Sequence, residues 1–305
     1  MTATDATAAR APATHAFAGL GWMLIAQCCF AVMNVSARIA GEGASWSEVA
    51  AARFLVGALL AWGIARSRGA SLAITDWKTS WTRAIFGTAS AICTFYAITS
   101  RRINLGDAAT LGATAPIFVA LLAPMMIGER SGRAVPLAVI VAFVGVALVL
   151  EPSFQSALGV AMIATLGAFL YAIALISLRR LGGGETHEAV VFHFSCVALA
   201  TMTAISLPNR HLPTLHDVAW CLATGLTGGL AQLAMTRAYA LDRAARVSTL
   251  TFLGIVLTHL LAIPIFGERP GWSQAAGAVL VMGAGVLLVR SIRTEATVRM
   301  GPLDE

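Results

Sequence analysis

The chain is short of charge. Asp, Glu, Lys and Arg together make up 12% of its 305 residues, about half the share found in a soluble domain. A soluble globule of this size needs a charged shell, so a cytosolic enzyme, a nucleic-acid reader and a disordered scaffold are excluded. A Gly-rich loop ending in Lys-Ser/Thr is also missing, which excludes direct drive by ATP. The run Gly182–Gly184 reads as a flexible loop and not as a phosphate cradle. No nucleophile motif and no spaced metal ligands occur, so neither a metal nor another cofactor is expected. The five cysteines (Cys28, Cys29, Cys93, Cys196, Cys221) all lie in apolar stretches and read as small buried hydrophobes.

Apolar residues are abundant instead: 58% of the chain, in long blocks. Crossing a bilayer takes roughly 20 such residues. Stretches free of Asp, Glu, Lys and Arg run over 11–37, 54–65, 84–100, 108–128, 134–150, 152–178, 189–209, 218–236, 247–267 and 270–289. The second is short only because Arg53 interrupts it, and 48–66 as a whole reads as a helix. The expectation is an all-α integral membrane protein of ten spans, the first retained and not cleaved. With the N-terminus inside, 15 Lys and Arg fall in inner loops, Arg83 among them, and 4 in outer ones. This asymmetry places both termini in the cytoplasm and accounts for the net charge of +6 without nucleic acid.

The two halves resemble each other. Ile127-Gly128-Glu129-Arg130 ends span four, and Phe266-Gly267-Glu268-Arg269 ends span nine, 139 positions later. At that offset Ala108-Ala109-Thr110-Leu111 faces Val247-Ser248-Thr249-Leu250. Arg53-Phe54 in span two matches His193-Phe194 in span seven. Five spans is an odd number, so the second copy must be inverted, an arrangement typical of secondary transporters. The expected organisation is a cytoplasmic tail over 1–16, repeats over 17–150 and 151–290, and a cytoplasmic tail over 291–305.

The Gly-Glu pair after spans four and nine, Pro116 within span four and Arg53-Phe54 in span two, on ten spans in two fives, resemble the EamA family of the drug/metabolite transporter superfamily. The resemblance covers about residues 17–290. It implies a multi-pass bacterial inner-membrane carrier of small metabolites, often an exporter of amino acids or related compounds, with spans three, four, eight and nine prominent around a central cavity. One departure stands out: Ile255 occupies the position matching Pro116, which moves any bend in span nine to Pro264.

Within the membrane the sequence places no carboxylate at depth; Glu48, Asp107, Glu129, Glu151, Asp217, Asp242 and Glu268 all fall at span ends. This argues against a strongly cationic substrate and for exchange or facilitated movement at least as much as proton coupling. Asn34, Tyr96, Thr114, Tyr171, Gln232 and His259 are the expected substrate-lining residues. For each, hydrogen bonding between helices is the plainer alternative. Glu129 and Glu268 read equally as gates or as solvated helix-end carboxylates. Arg53 reads as a snorkelling or internally paired cation before a carboxylate binder, and Arg38 likewise. Pro116 should bend or loosen its helix. The expected function is alternating-access export of an amino acid or metabolite, with uptake or exchange as the alternative. An intramembrane enzyme lacks its catalytic pair, and a channel lacks a charged ring. The expected partners are a small-molecule substrate and the bilayer, with no nucleic acid; a homodimer stays open.

Overall fold

The computed structural model describes residues 13–127, 135–150, 157–181, 184–209, 214–241 and 248–299. The chain is all-α over these residues. In order come α1 (Ala13–Ala40), α2 (Trp46–Arg68), α3 (Trp77–Thr99), α4 (Leu105–Gly112), α5 (Ala115–Ile127), α6 (Val135–Leu150), α7 (Leu158–Leu181), α8 (His187–Ser206), α9 (Leu215–Leu241), α10 (Leu253–Phe266) and α11 (Trp272–Arg299). Short 3-10 turns lie at Leu207–Asn209 and Ser248–Phe252.

Local chemistry sets the helix ends. Ser45 starts α2 with a reciprocal capping box: its Oγ accepts the Glu48 N–H at 3.3 Å, and the Glu48 carboxylate accepts the Ser45 N–H at 2.8 Å. Asp76 and Thr186 cap α3 and α8 in the same sense, through the N–H groups of Thr79 and Ala189. Gly267 closes α10 at φ +65°, a conformation that a side chain disfavours. That turn brings Glu268 back across the bundle.

Span four is broken into two helices, and span nine opens with a 3-10 turn. Pro116 has no N–H and its ring crowds the carbonyl of Gly112, so the helix breaks at Ala113–Thr114 between α4 and α5. Thr114 N–H bonds to Leu111 O at 3.2 Å, a tighter turn than an α-helix makes. In span nine the irregularity is the 3-10 turn Ser248–Phe252, which gives way to α10 at Leu253. Pro264 lies inside α10. The change from 3-10 turn to α-helix at Phe252–Leu253 falls 139 positions after the break at Ala113–Thr114 and contains no proline. Pro116→Ala is expected to make span four more continuous and to slow transport severalfold while the protein still folds; flux and circular dichroism check this.

Among the described residues six segments are long and apolar enough to cross a membrane: Gly19–Ala40, Trp46–Arg68, Leu105–Met126, Leu158–Leu181, His187–Ser206 and Leu215–Tyr239. Leu250–Phe266 is a shorter apolar helix. α6 has only 16 residues and α3 carries Lys78 and Arg83, which keeps both below that mark. The outer surface suits lipid. Leu59, Ile85, Met162, Leu260 and Val279 are all more than half exposed. Trp77, Trp81 and Trp272 stand exposed near helix starts, where interfacial tryptophans sit.

The most extensive packing joins α1 to α9, α3 to α7, α2 to α8 and α6 to α11, so each long contact links the first half of the chain to the second. Small residues let these helices approach. A Cβ added at Gly225 would fall 2.7 Å from Val56 Cβ and 3.1 Å from Ala52 O, and one at Gly229 would fall 3.2 Å from Gly57 Cα. The Gly225-x-x-x-Gly229 face of α9 thus lies directly on α2.

Candidate functional site

Two arginines are buried in the middle of this bundle. Arg53 on α2 is 4% exposed and Arg83 on α3 is 2% exposed. Arg53 does not snorkel, and Arg83 belongs to a helix and not to a loop. Both heads reach toward mid-helix. Gly57 and Thr88 are the central residues of α2 and α3. A Cβ at Gly57 would lie 3.8 Å from Arg53 Nη1 and 3.4 Å from Ser195 Oγ. A Cβ at Gly87 would collide with Arg83 Nη1 at 2.2 Å, so the glycine makes the room that this head occupies.

Aromatic faces hold the guanidiniums. Arg53 lies over the Phe54 ring at 4.3 Å, and Arg83 over the Phe194 ring at 4.2 Å. The two rings meet edge to face at 5.2 Å between centroids. Phe54 and Phe194 are the pair that the internal repeat aligns. Arg53 Nη2 donates to Gly228 O and to Gln232 Oε1, both at 3.4 Å. Tyr171 lies within electrostatic range of both guanidiniums and donates its hydroxyl to Met235 Sδ at 3.4 Å. Gln232 and Tyr171 thus join Arg53 at mid-bundle.

Five buried side-chain polar atoms have no hydrogen-bond partner among the described residues: Arg53 Nη1, Arg83 Nε and Nη1, Thr88 Oγ1 and Ser195 Oγ. The hydroxyls of Thr99, Thr110, Thr224 and Thr236 bond to the carbonyl four residues back, the usual habit of helical threonine. Thr88 and Ser195 do not follow it.

A second polar cluster lies at the Glu268 end. The Glu268 carboxylate accepts the N–H groups of Leu105 at 2.5 Å and Gly106 at 3.3 Å, which places an anion on the N-terminus of α4. It also pairs with Arg38 at 4.0 Å. Arg38 donates to Ile98 O and Ile103 O. Gln274 Nε2 donates to Asp107 Oδ2 at 2.7 Å, and Asp107 is 3% exposed. His259 Nε2 lies 3.3 Å from Thr110 Oγ1, and its ring rests on the Gly106 backbone. Asn34 Nδ2 donates to Thr258 Oγ1 at 3.4 Å. Asn34 and His259 therefore tie α1, α4 and α10 together on the way from mid-bundle to this end. Thr114 is buried at the break with its hydroxyl on Leu111 O at 2.6 Å. Tyr96 sits near the same end, its ring edge on to Trp46 at 6.2 Å. Glu129 lies outside the described residues.

The opposite end is clasped as well. Arg68 pairs with Glu188 at 3.1 Å, His193 Nε2 lies 3.0 Å from Leu72 O, and Glu185 accepts the N–H groups of Thr75 and Asp76. The Thr75 hydroxyl, and after it the Asp76 N–H, hold the Glu185 carboxyl below the ordinary carboxylate range. A lowered pKa stabilises at neutral pH, and that contribution is lost only as pH falls through the depressed value.

Sequence reading named Arg53, Gln232 and Tyr171 but missed Arg83, Thr88 and Ser195. The available signal for Arg83 was Asp76, a helix-capping residue that starts span three seven residues before it.

Comparisons with known proteins agree with this architecture. The pseudopaline exporter of Pseudomonas aeruginosa is 30% identical over 272 residues, spanning 88% of this chain and 94% of that protein. The S-adenosylmethionine uptake transporter of Rickettsia bellii is 24% identical, spanning 90% and 94%. A solved crystal structure superposes with a TM-score of 0.67 at 16% identity, covering 93% of this chain and all of that one, which is a likeness of fold. The EamA-like transporter family matches residues 17–151 and again 158–290. The chain belongs to the EamA-like transporter family, a multi-pass membrane protein that carries small molecules across the bilayer.

Proposed function

We propose that this protein is an alternating-access exporter of a small organic metabolite, of the amino-acid class or related to it, driven by gradients and not by ATP. The observation that carries the reading is the polar mid-bundle cluster, built from both halves of the chain and bracketed at each end by contacts between the halves. At the Glu268 end these are Arg38–Glu268, Glu268 with the α4 N-terminus and Gln274–Asp107. At the other end they are Arg68–Glu188 and Glu185 with Thr75 and Asp76. Releasing one set while the other holds exposes the centre to one side at a time.

Three features support two inverted five-span repeats. The packing pairs return to themselves when each span is exchanged for its counterpart five spans on: one with eight becomes six with three, while two with seven and five with ten are unchanged. The break in span four and the change from 3-10 turn to α-helix in span nine lie at the repeat offset. The family match falls once on each half. Positive charge in the loops supports cytoplasmic termini and an inner-membrane orientation, and with it a periplasmic Glu268 end. The similarity to an exporter at 30% identity supports outward movement. Asn34, Thr114, Tyr171, Gln232 and His259 serve as polar lining along the route, Tyr96 near its periplasmic mouth. Glu268 serves as the periplasmic gate, and Glu129 is assigned the equivalent duty in the first repeat. Arg53 acts at the centre and Pro116 at the hinge.

Purified protein in liposomes, tested with a panel of labelled metabolites, checks this. We expect saturable movement of at least one solute down its gradient, accelerated by unlabelled solute on the far side. Conductance without saturation, or no movement of any solute, would contradict it.

A further inference from the structure

We propose that Arg53 and Arg83 form a paired-cation site at mid-bundle that binds a small organic acid by its carboxylates, a dicarboxylate by preference. The proposal rests on the carrier reading above and names the class of solute that the carrier takes.

A guanidinium stays charged at neutral pH and presents five N–H donors. Inside a bilayer each such charge is costly unless something answers it. Here two of them share one region. The titratable groups that bear on Arg53 are Tyr171 and Arg83, and Tyr171 is the one that bears on Arg83. No carboxylate pairs with either arginine among the described residues. By contrast Arg38, at the Glu268 end, has its Glu268. The phenylalanine rings lie against the guanidinium carbons and offer the N–H groups no oxygen acceptor. Arg53 spends Nη2 on α9 and keeps Nη1; Arg83 keeps Nε and Nη1.

The surroundings favour an organic anion over a lone inorganic one. Thr88 and Ser195 add two buried hydroxyls without partners, on α3 and α8. Gly57 and Gly87 remove side chains where the guanidinium heads stand. Phe54, Phe194 and Met33 supply an apolar wall within the largest buried cluster, suited to a short carbon skeleton between polar ends. A carboxylate accepts two N–H groups from one guanidinium. Two carboxylates give one to each arginine and cancel both charges, and the hydroxyls can donate to the remaining lone pairs. The site draws Arg53 and Thr88/Arg83 from the first half and Ser195 and Phe194 from the second, so binding bridges the parts that must move.

The test is binding to the full-length protein in detergent, read by thermal shift and by tryptophan fluorescence. The probes are succinate, glutamate, butyrate, succinamide, putrescine, inorganic phosphate and chloride. Succinate should stabilise most, butyrate less, and succinamide and putrescine not at all. Arg53→Gln and Arg83→Gln should each weaken succinate binding by roughly 10- to 100-fold, the range for a lost charge-assisted hydrogen bond. Arg→Lys should restore part of it, since a lysine keeps the charge without the fork. Succinamide binding as well as succinate would overturn the proposal. So would chloride or phosphate matching or exceeding succinate, or Gln variants binding succinate unchanged. If the Gln variants fail to fold, the wild-type series of acid against amide decides alone. Flux separates the two readings. Arginine-dependent succinate binding with no solute movement in liposomes would sink the carrier reading and keep the site. Saturable flux of a neutral solute that Arg83→Gln leaves intact would do the reverse.

Discussion

Leucine in place of Gly225 is expected to leave little folded protein. The Cβ alone would sit 2.7 Å from Val56 Cβ and 3.1 Å from the Ala52 carbonyl oxygen. The second of these is helix backbone within α2 and cannot turn aside. Overpacking of this kind costs about 1–3 kcal/mol and occasionally more, and relief requires α2 and α9 to separate. That separation would strip Arg53 of Gly228 and Gln232, its two acceptors on α9. Gly63 on the same α2 helix is the control, because a Cβ there meets nothing within 4 Å. Gly63→Ala should be neutral or should stabilise by up to about 1 kcal/mol, the helical preference of alanine over glycine. Size-exclusion profiles and melting curves in one detergent check both. A Gly225→Leu protein that melts like wild type would mean that α2 and α9 do not pack as described.

Glu268→Gln should keep the fold and slow transport by at least roughly 10-fold, since hydrogen bonds to a charged group contribute about 1.5–3 kcal/mol each. Glutamine matches the shape and keeps an acceptor for Leu105 N–H. It loses the charge that complements the α4 N-terminus and the Arg38 guanidinium. If Glu268 holds its end shut, the variant spends more time open there. A cysteine introduced at Thr258, 1% exposed in this structure, should then react faster with a membrane-impermeant maleimide. Unchanged flux and unchanged labelling would reduce Glu268 to a helix cap. Arg38→Gln should act in the same direction.

Much of this architecture is legible in the sequence because bilayer physics writes it there. Apolar runs between charges mark the helices, and Pro116 marks the first break because a missing N–H is a local fact. The matching irregularity in span nine was not legible. Its turn at Ser248–Phe252 contains no proline and packs against α1, α10 and α11. Arg53 was visible as an oddity, but its surroundings were not, since Gly228 and Gln232 stand 175 and 179 positions away. Arg83 was hidden by counting span three from its first uncharged residue. The helix begins at Trp77, and that single difference turns a loop cation into a buried one. Among the described residues Glu48, Asp107, Asp217 and Glu268 did fall at helix ends, yet the side chains of Asp107 and Glu268 are shielded by Gln274, Arg38 and the α4 backbone. Position along a span and burial are separate properties, and only the first can be counted from the sequence.

Alternating access is the centre of this account, and trapping each end in turn tests it most directly. Begin with a background in which the five native cysteines are replaced by alanine. In one protein, Arg38→Cys and Glu268→Cys are joined by a bifunctional maleimide; in another, Arg68→Cys and Glu188→Cys are joined. Each also carries Ser195→Cys at mid-bundle. The account predicts that either link stops flux, and that Ser195→Cys then reacts only with reagent supplied from the unlinked side. Flux that survives either link, or labelling at position 195 from both sides of one trapped protein, would contradict it.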